Sequence, residues 1–165
     1  MIKDEKLRAD RLVFYENDVE RLDAELDSFL ELARARTALL IDCDGHLVTR
    51  RGEPIETAEE SIAALVAGSF AATKEMARLL GEDNFNVMFH QGSRDSIQMQ
   101  LVHHRTLMAI IFDQRTNLGL VRFYAQETTK RIEQLLDSME SEVRPDVQLS
   151  DDFSDSAQEA LDKLF

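Results

Sequence analysis

Cysteine, proline and tryptophan are nearly or wholly missing from this chain of 165 residues, which has one cysteine, two prolines and no tryptophan. The single cysteine, Cys43, excludes an internal disulfide and a metal site of several thiolates from one chain. Such usage fits a reducing compartment, so we expect a cytoplasmic protein. The first residues lack the apolar stretch of a secretory signal. The longest strongly apolar run, 107–112, is far shorter than a membrane span.

Positive charge is also scarce, because the net charge is -13. Residues 133–165 hold ten acidic and two basic side chains, and residues 1–35 hold ten and six, whereas residues 36–132 hold twelve and eleven. Acidic ends repel nucleic acid and anionic lipid, so we expect neither as a partner. The uneven charge predicts a charged extension at 1–10, a domain at 11–140 and an acidic tail at 141–165.

Catalytic motifs are missing too. No GxxxxGKS/T loop is present, and no GxGxxG follows a strand. His90, Ser93 and Asp95 come together near a turn, without the strand–turn–helix setting of a nucleophile elbow. We therefore expect no catalytic residue in this chain.

Metal ligands are present only in weak patterns. Asp42 and Asp44 precede His46 in a hairpin, but the later ligands of a calcium loop are lacking. His103 and His104 are adjacent on a strand and would point to opposite faces. We expect turn chemistry and solvation at both places, with no metal and no cofactor.

Apolar periodicity predicts the order helix, strand, strand, helix, strand, strand, strand, helix. The first helix is indicated by a stripe of Leu22, Leu26, Phe29, Leu30 and Ala33. The predicted strands are 38–42, 46–51, 85–89, 96–102 and Thr106–Phe112, and the last helix is predicted at 116–139. Asp44-Gly45 is a strong hairpin signal. Together these features predict an α/β (α+β) sandwich with a mainly antiparallel five-stranded sheet, one long helix on one face and two helices on the other.

The long helix predicted at 57–80 has two apolar stripes. The bulky stripe suits a core, and it consists of Ile62, Leu65, Val66, Ser69, Thr73, Met76 and Leu80. The other stripe is small, and it consists of Ala64, Ala67, Gly68 and Ala71. These alanines could serve helix propensity alone, but a glycine inside a helix costs about 1 kcal/mol relative to alanine. Gly68 therefore favours a surface where another backbone comes close.

The tail beyond Pro145 carries one apolar stripe of helical spacing, formed by Phe153, Ala157, Ala160, Leu161 and Leu164. An isolated short helix of this kind is marginally stable in water. It is typical of a segment that folds into a groove on a partner, and docking back on its own domain is the alternative.

The order and spacing of several pieces resemble the Roadblock family, and within it the bacterial MglB group. The resemblance covers residues 11–140, and the acidic tail resembles that group as well. The matching pieces are Ala38-Leu-Leu-Ile-Asp42, Asp44-Gly45, Leu65-Val-Ala-Gly68, Ala71-Ala-Thr73, Leu79-Leu-Gly81, His90-Gln-Gly92, Ile111-Phe-Asp113 and Leu118-Gly-Leu-Val-Arg122.

The resemblance implies a homodimer that pairs through the long helix and the third strand, which makes a continuous ten-stranded sheet. On this sequence the implied dimer contacts are Ile62, Phe70, Phe85, Val87 and Phe89. The paired helices also form the family's platform for a GTPase. The implied platform here is Ala64, Ala67, Gly68, Ala71 and Glu75.

The MglB resemblance further implies a GTPase-activating protein for a small Ras-like GTPase of the MglA type, in polarity and motility control. It implies remodelling of the GTPase switch region without a donated arginine, and placement at a cell pole through partners. The C-terminal segment, with Phe153, Leu161, Leu164 and Phe165, would reach a separate GTPase surface and modulate nucleotide exchange. A non-activating scaffold and a small-molecule sensor remain alternatives.

Overall fold

The computed structural model describes residues 16–56 and 59–162, with side chains described through residue 141. The helices are α1 (Glu16–Ala33), α2 (Glu59–Leu80) and α3 (Leu118–Asp162). The strands are β1 (Thr37–Asp42), β2 (Leu47–Gly52), β3 (Val87–Gln91), β4 (Ser96–His103) and β5 (Thr106–Phe112). The chain divides at Glu133: the sheet, α1, α2 and the first turns of α3 form one compact unit, and the rest of α3 belongs to a second.

The five strands form one sheet in the order β2-β1-β5-β4-β3, and every neighbouring pair is antiparallel. Side chains alternate between the two faces of each strand. Leu39 and Leu107 therefore face α2, whereas Leu40 and Met108 face the other layer. This architecture confirms the predicted sandwich and its antiparallel sheet.

The β1–β2 hairpin forms at Asp44-Gly45, as predicted. Gly45 has a φ of 94°, in the left-handed region that favours glycine. The Asp42 carboxylate accepts the backbone N–H groups of Asp44 and His46 at 3.0 and 2.9 Å. This Asx-type bonding satisfies two backbone N–H groups of the turn and explains the aspartate at position 42.

The face of α2 that packs on the sheet differs from the predicted bulky stripe. Its buried residues are Ala63, Val66, Ala67, Phe70, Thr73 and Ala77. Of the predicted stripe, only Val66 and Thr73 are buried, while Leu65, Met76 and Leu80 are exposed. The prediction was wrong because Val66 and Phe70 supply the bulk on this face. The other α2 residues over Leu39, Met99 and Leu107 are small, which allows close packing.

The opposite face of the sheet is covered by α1 and the first turns of α3. The predicted α1 stripe is confirmed at Leu22, Leu26, Phe29 and Ala33, while Leu30 is only partly buried. In α3, Val121 and Ile132 are buried as predicted. Ala125 and Thr128 replace Tyr124 in the buried set. These two layers place the sheet between one long helix and two others.

The last helix extends beyond its predicted end near Met139. It begins at Leu118 and runs through Pro145 to Asp162. A proline inside a helix removes one backbone hydrogen bond, which made a helix end there the expected outcome. The rest of the helix continues on both sides of that missing bond.

Candidate protein interaction surface

The exposed side of α2 carries large apolar residues that nothing in the described chain covers. Leu65 is 70% exposed and Leu79 is 72% exposed, and Met76 and Leu80 are similarly open. We call these four residues the leucine seam. Single exposed leucines are common on protein surfaces, but several along one helix mark a site of contact.

Met76 and Leu80 of the leucine seam lie on the side of α2 that adjoins β3. Thr73, in α2, donates its hydroxyl to the Ser69 carbonyl at 2.9 Å, and its Oγ1 lies 2.6 Å from Met88 Sδ in β3. Met76 and Leu80 follow Thr73 by three and seven residues, so they lie along the same side of the helix. The seam therefore continues toward the strand at this edge of the sheet.

Strand β3 is an edge strand, because β4 is its only partner among the described strands. The Asn86 carbonyl accepts the Leu101 N–H at 3.2 Å, so the backbone polar groups of residue 86 point toward β4. Backbone direction alternates along a strand, so the amides of Val87 and Phe89 point away from the sheet. An unpaired edge of this kind is a template for another strand.

The small-residue stripe lies on the other side of α2, toward the β1–β2 hairpin. A Cβ placed on Gly45 would come within 3.1 Å of the Ala64 Cα and 3.7 Å of the Ala67 Cβ. The hairpin therefore requires small residues at these two positions. A Cβ placed on Gly68 would meet nothing within 4 Å, and Ala71 is exposed. Packing within the subunit therefore does not require a small residue at either position.

Two of the predicted contact residues lie inside their own subunit. Phe70 is 3% exposed and Ala67 is 7% exposed, and both belong to the core cluster between α2 and the sheet. Their side chains support α2 from below, because helical residues three and four apart share one face. We remove them from the candidate contact surface.

The other predicted residues have varied positions. Ala64, Gly68, Ala71 and Glu75 are exposed on α2, and Glu75 pairs with Arg78. Ile62 packs at the margin of the core cluster, and Phe85 precedes β3. Phe89 stacks on Phe112 with ring centroids 6.0 Å apart.

The predicted segment at the end of the chain falls outside what is described. Phe153 and Leu161 lie within the range of α3, but their side chains are not described. Leu164 and Phe165 lie beyond the described residues. The sequence missed the leucine seam as a surface, and the excess of bulky residues over what one core face needs is the signal that could have revealed it.

Charged side chains meet at the end of the sheet opposite the hairpin. Arg36 pairs with Glu53 at 2.9 Å and with Asp95 at 2.6 Å, and Arg115 pairs with Glu53 at 2.8 Å and Asp113 at 3.0 Å. Hydrogen bonds from Arg115 hold the pKa values of Asp113 and Glu53 below their usual range. The network joins four loops, which is a structural role.

The candidate reactive groups do not assemble into a catalytic site. Asp95 is engaged by Arg36, and no bond among His90, Ser93 and Asp95 occurs in the described residues. The Cys43 thiol is exposed at the hairpin, and partial desolvation raises its pKa, which disfavours a reactive thiolate. Within residues 16–56 and 59–141, the candidate functional feature is therefore the exposed apolar face of α2.

Comparison with known proteins finds one family model and several similar solved structures. The model of the Roadblock/LC7 domain matches residues 22–112. The solved structure of MglB from Myxococcus xanthus is 34% identical and superposes with a TM-score of 0.73, covering 77% of this chain and 96% of that one. The gliding protein MglB from Thermus thermophilus is 30% identical with a TM-score of 0.72, covering 76% and 96%.

More distant likeness concerns the fold alone. A Roadblock/LC7 domain from Streptomyces avermitilis shares 13% identity with a TM-score of 0.61, covering 67% of this chain and 92% of that one. A search among curated proteins found no match. No helix among the described residues combines the length and apolar character that crossing a membrane requires.

Proposed function

Because the chain belongs to the Roadblock/LC7 family, we propose that it is a homodimeric regulator of a small Ras-like GTPase of the MglA type. In this proposal it stimulates GTP hydrolysis by remodelling the switch region, and it donates no catalytic residue. The proposal rests on the likeness to MglB proteins and on the two separate exposed stripes of α2.

The observation that best supports the proposed dimer is the position of the leucine seam beside the free edge of β3. Burying an exposed leucine contributes about 1.5–3 kcal/mol, and a two-fold interface buries each residue twice. A second copy also offers an unpaired β3 edge, so that both strands can gain a neighbour. A related MglB structure described as having a tetrameric arrangement, 29% identical over 77% of this chain, supports self-association.

The two stripes of α2 allow its roles to be divided. The leucine seam faces β3 and serves the second copy. The exposed part of the small-residue stripe, without the buried Ala67, lies on the hairpin side and stays open when β3 is paired. We assign these residues, Ala64, Gly68 and Ala71, to the GTPase. Exposed small residues allow a partner backbone to come close without displacing side chains.

A charged residue in the small-residue stripe tests the GTPase assignment. We expect Ala71→Arg to lower single-turnover GTP hydrolysis by the partner at least tenfold, because a long cation would hold the two surfaces apart. Ala24→Arg, at an exposed alanine of α1, is the matched control and is expected to retain stimulation. Unchanged stimulation by a folded Ala71→Arg dimer would remove the platform from this stripe.

A non-activating scaffold is the second candidate, because a contact surface alone does not imply activation. The same assay with and without this chain separates the two functions: binding without faster hydrolysis identifies a scaffold. The predicted C-terminal segment is tested by truncation after Arg144. We expect this truncation to change nucleotide exchange by the GTPase while the stimulated hydrolysis persists.

A further inference from the structure

The two faces of β4 differ in polarity. Toward α2 it presents Ile97, Met99 and Leu101, which join the core cluster. Toward α3 it presents Gln98 and Gln100, both buried. At β4, the layer on the α3 side therefore contains amides where the layer under α2 contains hydrocarbon.

The buried amides form a short chain of hydrogen bonds that ends on α3. Gln98 Nε2 donates to Gln100 Oε1 at 2.8 Å. Gln100 Nε2 then donates to Thr129 Oγ1 and, at 3.5 Å, to the Ala125 carbonyl. These hydrogen bonds orient α3 over β4, but some donors and acceptors of the layer remain without a hydrogen bond.

Two buried polar atoms in this layer have no hydrogen-bond partner among the described residues. They are Gln98 Oε1 and Thr128 Oγ1, on side chains that are each 1% exposed. A buried polar group without a partner destabilises the packed state, because water would satisfy it in the open state. The packed position of α3 is therefore penalised at two points.

The buried face of α2, by contrast, is apolar except for Thr73, whose hydroxyl is paired. The packing of α3 on β4 thus includes unpaired polar atoms that the buried face of α2 lacks.

We propose that residues 118–133 of α3 form a releasable layer, which opens from β4 while the sheet and α2 stay folded. This proposal goes beyond the proposed function, because it concerns the free protein and requires no GTPase. Local opening of a weakly held element is a common low-energy excursion of native proteins. A partner that binds the released helix better than the packed one would shift the population toward release.

Hydrogen exchange of the full chain, resolved by segment, tests the proposal. We expect amides of residues 118–133 to exchange at least about tenfold faster than those of residues 63–77 in α2. Thr128→Val removes an unpaired hydroxyl without changing shape, so we expect it to slow exchange across 118–133 about tenfold. Thr73→Val is the matched control: it removes a paired hydroxyl, and exchange in α2 is expected to stay the same or become faster.

The double substitution Gln98→Met with Gln100→Met is an independent variant of the same layer. We expect it also to slow exchange across 118–133, because it removes the buried amides while keeping chain length. Protection of 118–133 equal to that of α2 in the native chain would overturn the proposal. Unchanged exchange in both folded variants would overturn it as well, and if one variant fails to fold, the other decides.

Discussion

The two edges of the sheet differ in how they meet an incoming strand. The β2 edge carries Arg50, which pairs with Glu59 at 2.6 Å, and Arg51, which pairs with Asp27 at 2.7 Å. Its pairing with β1 also contains a register shift between Leu40 and Ile41. Charges and irregular pairing are devices that protect an edge from further strands.

The β3 edge has none of these protections. Its sequence, Val87–Gln91, contains no acid, lysine or arginine, and Val87 is exposed. The leucine seam of α2 lies on the same side of the molecule. The comparison teaches that one antiparallel sheet can have a charged, irregular edge and an uncharged, regular one, and the proposed dimer assigns the second to a partner strand.

The strongest way to break the difference is to place a charge in the leucine seam. We expect Leu79→Asp to weaken the dimer by roughly 10²–10⁴-fold, because about 3–6 kcal/mol of apolar burial is lost over the two copies. Sedimentation equilibrium measures the dissociation constant. Leu32→Asp, at an exposed leucine of α1, is the matched control. Equal weakening by both substitutions would place the interface elsewhere.

A proline at the start of β3 tests the strand edge separately. We expect Val87→Pro to weaken the dimer about tenfold to a hundredfold, since it removes one outward N–H from each copy, at about 0.5–1.5 kcal/mol each. Val87→Ala keeps the amide and serves as the control in the same sedimentation experiment. If both variants weaken the dimer equally, the side chain matters rather than the backbone pairing.

Removing charge from the other edge would make the two edges more alike. We expect Arg50→Val with Arg51→Val to produce species larger than the dimer at high concentration, because β2 then resembles an unprotected apolar edge. Sedimentation velocity across a concentration series detects them. Arg122→Val with Lys130→Val removes the same charge from the exposed side of α3. Growth in both variants would point to net charge instead of the edge.

The sequence was sufficient to predict the fold. Each strand was predicted to within two residues of its observed bounds, since alternation and the Asp44-Gly45 turn are local signals. The long helix was also located from its periodicity. These features depend on neighbours in the chain, which a single sequence contains.

The face of α2 that meets the sheet could not be predicted from the sequence. Two apolar stripes competed, and hydrophobicity alone favoured the bulky stripe with Leu65 and Met76. The structure buries Ala63 and Ala67 instead, together with Val66 and Phe70, because this mixture of small and large residues fits the strands beneath. That outcome depends on the shape of another element, and the same long-range dependence separates the leucine seam from the small-residue stripe.

The smallest expected effect is that of lowering the pH, which we expect to act on the β2 edge and not on the β3 edge. Hydrogen bonds from Arg51 lower the pKa of Asp27 from its ordinary value of 3.8. A carboxyl group whose pKa is lower in the folded protein than in the unfolded chain stabilises the fold at pH values above its unfolded-state pKa. This contribution is lost as the pH falls through the pKa of the folded state. We therefore expect the link between β2 and α1 to loosen only below about pH 3.8. The effect is slight, because the pair is exposed.

The titration of the Asp27 carboxyl and of the β2 amides by NMR measures this loosening. Asp27→Asn removes the ionisable group, so the β2 amides of that variant are expected to lose this pH dependence. Hydrogen bonds from Arg115 also lower the pKa values of Glu53 and Asp113, whose loops report on a separate network. The β3 strand has no acid of its own and is expected to show no response. Equal responses in β2 and β3 would mean that acid loosens the whole sheet, and that the charges of the β2 edge have no separate role.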